Sequence, residues 1–169
     1  MNDAESIVEL IPRLRRYARA LAGDRATADD LVQDTLERAW SKLHLYRRGT
    51  DLRAWLFTVM HNLYVNQVRA ARTRPGTQLE EEMPELAQPA SEIDALVLRD
   101  LDLAIRRLPP DQREVLLLVA LEDMSYAEAA ATLEIPIGTV MSRLARAREK
   151  LRAMLSGLPE NGKQLKIVK

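Results

Sequence analysis

Residues 125–152 read SYAEAAATLEIPIGTVMSRLARAREKLR, and the fold class follows from this stretch. It has the form of two helices joined by a tight turn. Ser125 can cap the first helix, and Glu128 stands three residues on, where a capping box needs a carboxylate. Ala127, Ala129, Ala130 and Ala131 keep that helix thin, so a second helix can cross it closely. Pro136 and Gly138 punctuate the turn. In the second helix Val140, Leu144, Ala147, Leu151 and Leu155 fall on one stripe at helical spacing. Thr139, Ser142, Arg143, Arg146 and Lys150 fall on another. The apolar stripe needs a core; the other offers hydroxyls and cations to a partner, as a helix seated in a DNA major groove does. A solvated amphipathic helix would carry the same charges. The alanine-rich first helix, the capping box and the Pro/Gly turn together select a helix-turn-helix.

Bulk composition narrows the rest. In 169 residues, 47% hydrophobic and 30% charged, there is room for one domain or two small ones with folded cores. Aromatics are 4%, so those cores are expected to be built from Leu, Val, Ile and Ala. Cysteine is absent, which removes disulfides and thiolate metal sites and suits a cytoplasmic protein. No apolar run reaches the roughly 18 residues of a membrane span, and no secretory signal is expected at the N-terminus.

A formal net charge of zero looks wrong for a nucleic-acid binder, but the charge is unevenly placed. Residues 1–72 carry 12 basic and 9 acidic side chains, residues 73–92 carry 1 and 5, and residues 137–155 carry 5 and 1. The positive charge is concentrated on the second helix of the motif. A neutral chain binds DNA weakly by itself, so this pattern suits a protein that meets DNA as part of a larger assembly.

Outside the motif, helical periodicity runs over residues 4–22, with Ile7, Ile11, Leu14, Ala18 and Leu21 as the apolar stripe. A second helix, capped by Thr27 and reaching about residue 43, is expected to turn Val32, Leu36, Ala39, Trp40 and Leu43 inward. Asp30, Gln33, Asp34 and Glu37 form its outward stripe. Acid in a first turn answers the helix dipole, but Asp34 and Glu37 lie beyond that turn, and a protein-docking face accounts for them. A third helix spans 51–72, with Leu52, Leu56, Val59 and Leu63 expected to be buried. Asn62, Asn66 and Arg69 share another face; asparagine forms helices poorly, and its amide can read base edges. Residues 73–90 hold Pro75, Gly76, Pro84, Pro89 and the acidic run 80–82, and form a linker. Beyond it, Ser91 can cap a helix over 92–107, whose stripe is Ile93, Leu96, Val97, Leu101 and Ala104, with Leu108 just beyond. A core helix over 111–121 carries VLLLVAL. The expected fold is all-α: a domain over 1–72, a flexible linker over 73–90, a helix-turn-helix domain over 91–155, and a basic tail over 156–169.

This order of parts resembles the extracytoplasmic-function (ECF) group of bacterial sigma factors over nearly all of residues 4–155. DDLVQDTLERAW at 29–40 resembles the polymerase-binding helix, RAWLFTVMHNLYVNQVRAAR at 53–72 the helix that reads and opens the −10 element, and residues 108–152 the domain that reads the −35 element. The resemblance implies that Asp30, Gln33, Asp34 and Glu37 dock on the clamp coiled coil of the polymerase β′ subunit. It implies that Asn62 receives a base flipped from the non-template strand, supported by Asn66 and Arg69. It implies that Ser142, Arg143 and Arg146 face the −35 major groove, flanked by Thr139 and Lys150, while Ser125 and Tyr126 meet phosphate. Met141 departs from the pattern, since many relatives carry a basic residue there. The loop over 44–50 is a variable specificity element in the family. The partners implied are core RNA polymerase through β′ and β, promoter DNA and an anti-sigma factor, with no cofactor, metal or membrane insertion.

An enzyme would need chemistry that the chain does not offer: His44 and His61 lack a second ligand at metal spacing, and no Gly-rich phosphate loop is present. A sigma-like decoy that sequesters an anti-sigma factor without binding DNA is the alternative from the same fold. A dimeric repressor would require a self-association face and a palindromic site.

Overall fold

A computed structural model describes residues 2–73 and 92–156; residues 74–90 of the linker, the expected cap Ser91 and all but the first residue of the basic tail lie outside them. The described chain holds seven α-helices: α1 (Asp3–Ala22), α2 (Arg25–Ser41), α3 (Leu52–Thr73), α4 (Glu92–Arg107), α5 (Pro110–Ala120), α6 (Tyr126–Leu133) and α7 (Ile137–Leu155). A single 3₁₀ turn, Leu43–Leu45, follows α2. There is no strand among the described residues. The all-α class and the helix-turn-helix are as the sequence predicts.

Local chemistry sets the helix ends. Asn2 caps α1 in a capping box with Glu5, and Gly23, at φ +85°, closes it in the left-handed conformation that glycine adopts freely. α2 starts earlier than expected: its cap is Asp24, whose Oδ1 accepts from the Thr27 N–H at 2.8 Å. Thr27 is therefore inside the helix. The Ser125 box forms as read from sequence, with Ser125 Oγ accepting from the Glu128 N–H at 3.1 Å and Glu128 Oε2 from the Ser125 N–H at 2.7 Å. Glu134 ends α6 in the left-handed region at φ +55°, and Pro136 caps α7. That reversal lays α7 across α6.

In the first half, α1, α2 and α3 pack around Leu14, Ala18, Leu21, Leu31, Leu56 and Met60, all shielded from solvent. Tyr17 and Phe57 meet edge-on, with ring centroids 4.9 Å apart. The buried face of α3 is Leu56, Phe57, Met60 and Tyr64. Leu52, Val59 and Leu63, expected to be buried, are only half-covered. Residues 52–65 are apolar almost all round, so periodicity cannot choose the face; the neighbours α2, α1 and α6 choose it.

In the second half α7 buries Val140, Leu144, Ala147 and Leu151 against α5 and α6. A fully buried aliphatic side chain contributes about 1.5–3 kcal/mol, so this stripe anchors the helix and frees its opposite face. α4 corrects the sequence reading. Only Ala104 in the helix and Leu108 just beyond it are buried, while Ile93, Leu96 and Val97 are 57%, 59% and 39% exposed. Its first two turns run past the core.

The halves also touch. α3 packs on α6, and α1 on α4 and α5, so one apolar core runs through both. Arg113 on α5 ties the seam: Nη1 donates to the Leu21 carbonyl at 2.7 Å, Nε to Ile105 at 3.1 Å, and Nη2 to Leu108 at 2.9 Å and to Arg106. One guanidinium thus gathers carbonyls around the C-terminal ends of α1 and α4, which have no further helical donors.

Candidate polymerase and nucleic-acid faces

The sequence-selected residues lie on three separate helices. On α2, burial of Ala28, Leu31, Val32, Thr35 and Ala39 turns Asp30, Gln33, Asp34 and Glu37 to solvent. Thr35 is inside because its hydroxyl donates to the Leu31 carbonyl at 2.6 Å, leaving no polar group unsatisfied. Gln33 Nε2 donates to Glu37 Oε1 at 3.4 Å along the stripe.

Trp40 is the main correction here. The sequence reading turns it inward, yet it is 62% exposed, and Leu45 just beyond is 65% exposed. Trp40 follows Glu37 by three positions and Gln33 by seven, so it continues the acidic stripe. Its spacing from Leu36 and Ala39 suits the apolar side as well, which is why pattern alone misplaces it.

On α3, Asn62, Asn66 and Arg69 are exposed together, on the side away from Met60 and Tyr64. Between them and the second half lies His61. Its Nδ1 is 2.6 Å from Glu114 Oε1 on α5, so this histidine, which lacks a second ligand at metal spacing, joins the two halves. Burial pushes the Glu114 carboxyl up from its ordinary 4.5, while hydrogen bonding to His61 and its charge act against the rise. The folded value exceeds the unfolded one, so this group's stabilisation is complete below about pH 4.5 and is lost as pH rises through the raised value. We expect the stability difference between the natural chain and Glu114→Gln to shift against the natural chain from about pH 4 to pH 7. Urea midpoints across that range check it, and a pH-independent difference would contradict it.

On α7, Ser142, Arg146 and Lys150 are exposed, Thr139 is half-buried, and the Ser142 hydroxyl donates to the Thr139 carbonyl at 3.1 Å. Arg143 is drawn back toward α5, where its Nε lies 3.5 Å from Asp111 Oδ2. Met141 stands 52% and Ile137 49% exposed on the outer side. Ser125 is exposed and Tyr126 half-buried at the start of α6. Among the described residues no cluster of three or more His, Cys, Asp or Glu could hold a metal ion. No described helix is long and apolar enough to cross a membrane.

An all-helical chain with an exposed acidic stripe, an amide-bearing helix and a basic helix-turn-helix has the layout of a transcription initiation factor. Comparison with known proteins gives the family. Residues 7–61 match the Sigma2 domain of PhyR, and residues 98–151 match sigma-70 region 4. The chain is 37% identical over 151 residues to the ECF RNA polymerase sigma factor EcfG of Rhodopseudomonas palustris, covering 89% of this chain and 83% of that one. It is 36% identical over 137 residues to SigC of Mycobacterium tuberculosis, covering 79% and 73%. Among solved structures it is similar to the sigma factor RpoE of Bartonella quintana, seen in complex with the anti-sigma factor NepR. That match has a TM-score of 0.77 and 34% identity, and covers 91% of this chain and 96% of that one. The chain belongs to the ECF RNA polymerase sigma factors, and its function is that of an alternative sigma factor directing promoter-specific transcription initiation.

Proposed function

We propose that the three exposed faces divide the work of initiation. The α2 face, Asp30, Gln33, Asp34 and Glu37 extended by Trp40, docks on the β′ clamp of core RNA polymerase, and the second half meets the β subunit. Asn62, Asn66 and Arg69 hold the opened −10 strand, Asn62 receiving a flipped base. Unstacking a base costs a few kcal/mol, which a polar pocket must return. Ser142, Arg143, Arg146 and Lys150 enter the −35 major groove, with Thr139, Ser125 and Tyr126 at the backbone. The functional units run over 1–72 and 91–155. The factor works in the cytoplasm, makes and breaks no covalent bond, and is held in check by an anti-sigma partner, as RpoE of Bartonella quintana is bound by NepR.

The observation that carries this reading is the outward basic face of α7, set on a buried apolar stripe in a helix-turn-helix. The chain's first half matches the Sigma2 domain of PhyR, a protein that one solved complex describes as an anti-anti-sigma factor. That match covers the first half alone, whereas the sigma-factor relatives span most of the chain, so the sigma-factor reading stands over the decoy. Run-off transcription with core polymerase separates the two: a sigma factor yields a promoter-specific transcript, and a decoy yields none.

The −35 assignment makes a narrower prediction. A lost base-edge contact costs about 1–3 kcal/mol, so Arg146→Ala should lower transcription from −35-dependent promoters roughly tenfold. Templates that need no −35 element should be spared. Equal loss on both kinds of template would remove Arg146 from the −35 interface.

A further inference from the structure

The short turn between α5 and α6 holds Glu122, whose side chain has no solvent exposure. Its carboxylate is met by the other half of the molecule: Oε2 accepts from Arg13 Nε at 3.0 Å, and Oε1 from Arg16 Nη2 at 3.4 Å. The backbone of the same turn is held too. Arg53 Nη1 donates to the Glu122 carbonyl at 2.9 Å and Arg16 Nη2 to the Leu121 carbonyl at 3.2 Å. Two arginines of α1 therefore close on one buried carboxylate, a third, on α3, holds its backbone carbonyl, and His61 with Glu114 adds a second polar contact across the seam.

This closed form cannot occupy both promoter elements. Elements centred about 25 base pairs apart lie ~85 Å apart along B-DNA at 3.4 Å per step. A compact body of 137 residues has a radius of gyration of about 14 Å, hence a breadth of about 40 Å. The two halves must separate before α3 and α7 reach their sites together. The seam is apolar where α3 meets α6 and α1 meets α4 and α5, and its ion-paired part suits a contact that must open. The cost of desolvating its charges offsets much of their attraction, and water resolvates every group once the halves part.

We propose that Glu122 with Arg13, Arg16 and Arg53 is a latch that keeps the free factor closed, so that core polymerase must open it to bind. This rests on the sigma-factor reading for its purpose, though the latch can be tested without polymerase. The chain has no cysteine, so Val8→Cys and Ala153→Cys, both at exposed positions in opposite halves, accept a donor and an acceptor dye specifically.

Single-molecule energy transfer on the full chain should show a dominant high-transfer state in the natural sequence. Glu122→Gln should shift it to a broad low-transfer distribution with helicity unchanged. Should that variant misfold, Arg13→Ala with Arg16→Ala removes the same contacts from partially exposed positions, where the side chains are 38% and 57% exposed. Adding core polymerase to the natural chain should produce the same low-transfer state, and the unlatched variants should bind core polymerase several-fold tighter, because the opening penalty is gone. A folded double variant that keeps the high-transfer state overturns the latch. So does a natural chain already in low transfer alone. A chain that opens on Glu122→Gln yet directs no transcript would keep the latch and sink the sigma assignment of the faces.

Discussion

Trp40→Ala should weaken binding to core polymerase by about 30-fold or more while leaving the fold intact. Exposed tryptophans at protein interfaces act as anchors whose truncation costs about 2 kcal/mol or more, which is a factor of roughly 30. Trp40 is 62% exposed in the free chain, so removing the indole empties little of the core. The stability change should stay under ~1 kcal/mol. Asp34→Lys should also weaken binding, with a different signature: a reversed charge on the docking rim mainly slows association, and the effect fades with salt. Loss of the Trp40 anchor mainly speeds dissociation and persists in high salt. Surface-immobilised core polymerase and both variants at two salt concentrations would check this. Unchanged dissociation in Trp40→Ala would remove the indole from the interface.

Arg113→Ala should cost about 3 kcal/mol of unfolding free energy, the largest stability effect of any polar substitution in the seam. The Arg113 side chain is held by the carbonyls of Leu21, Ile105, Arg106 and Leu108. Truncation strands several partly buried acceptors at once, each of which costs about 1–3 kcal/mol when no water reaches it. Burial lowers the guanidinium pKa, but from so high a value that the group stays charged. Arg113→Lys should recover only part of the loss, because an ammonium on a flexible stem cannot match a planar fork aimed at several carbonyls. Urea unfolding of the three proteins decides it. A loss below ~1 kcal/mol would mean that water replaces the guanidinium.

Which parts were legible beforehand follows from how local their causes are. The Ser125–Glu128 box, the bounds of α4 and the inward stripe of α7 depend on residues three or four apart, and each is where periodicity places it. The outward position of Asp30, Gln33, Asp34 and Glu37 was legible for the same reason, since charged residues stay wet unless paired. Trp40 was not, because amphipathic aromatics fit either side of a stripe. Ile93, Leu96 and Val97 were not either: their spacing is that of a buried face, but no described element reaches far enough to cover them.

By itself the sequence determined the helices, the Ser125–Glu128 cap, the helix-turn-helix and the solvent side of the α2 acidic stripe, because all of these are settled within one or two turns of chain. Tertiary structure alone decided that Glu122 is buried, that Glu114 meets His61 and that Arg113 reaches Leu21, pairings that join residues 53 to 109 positions apart. A carboxylate in a turn is read as solvated unless its partners are known. Here the partners lie on helices at the other end of the chain, and only the packing of the two halves brings them together.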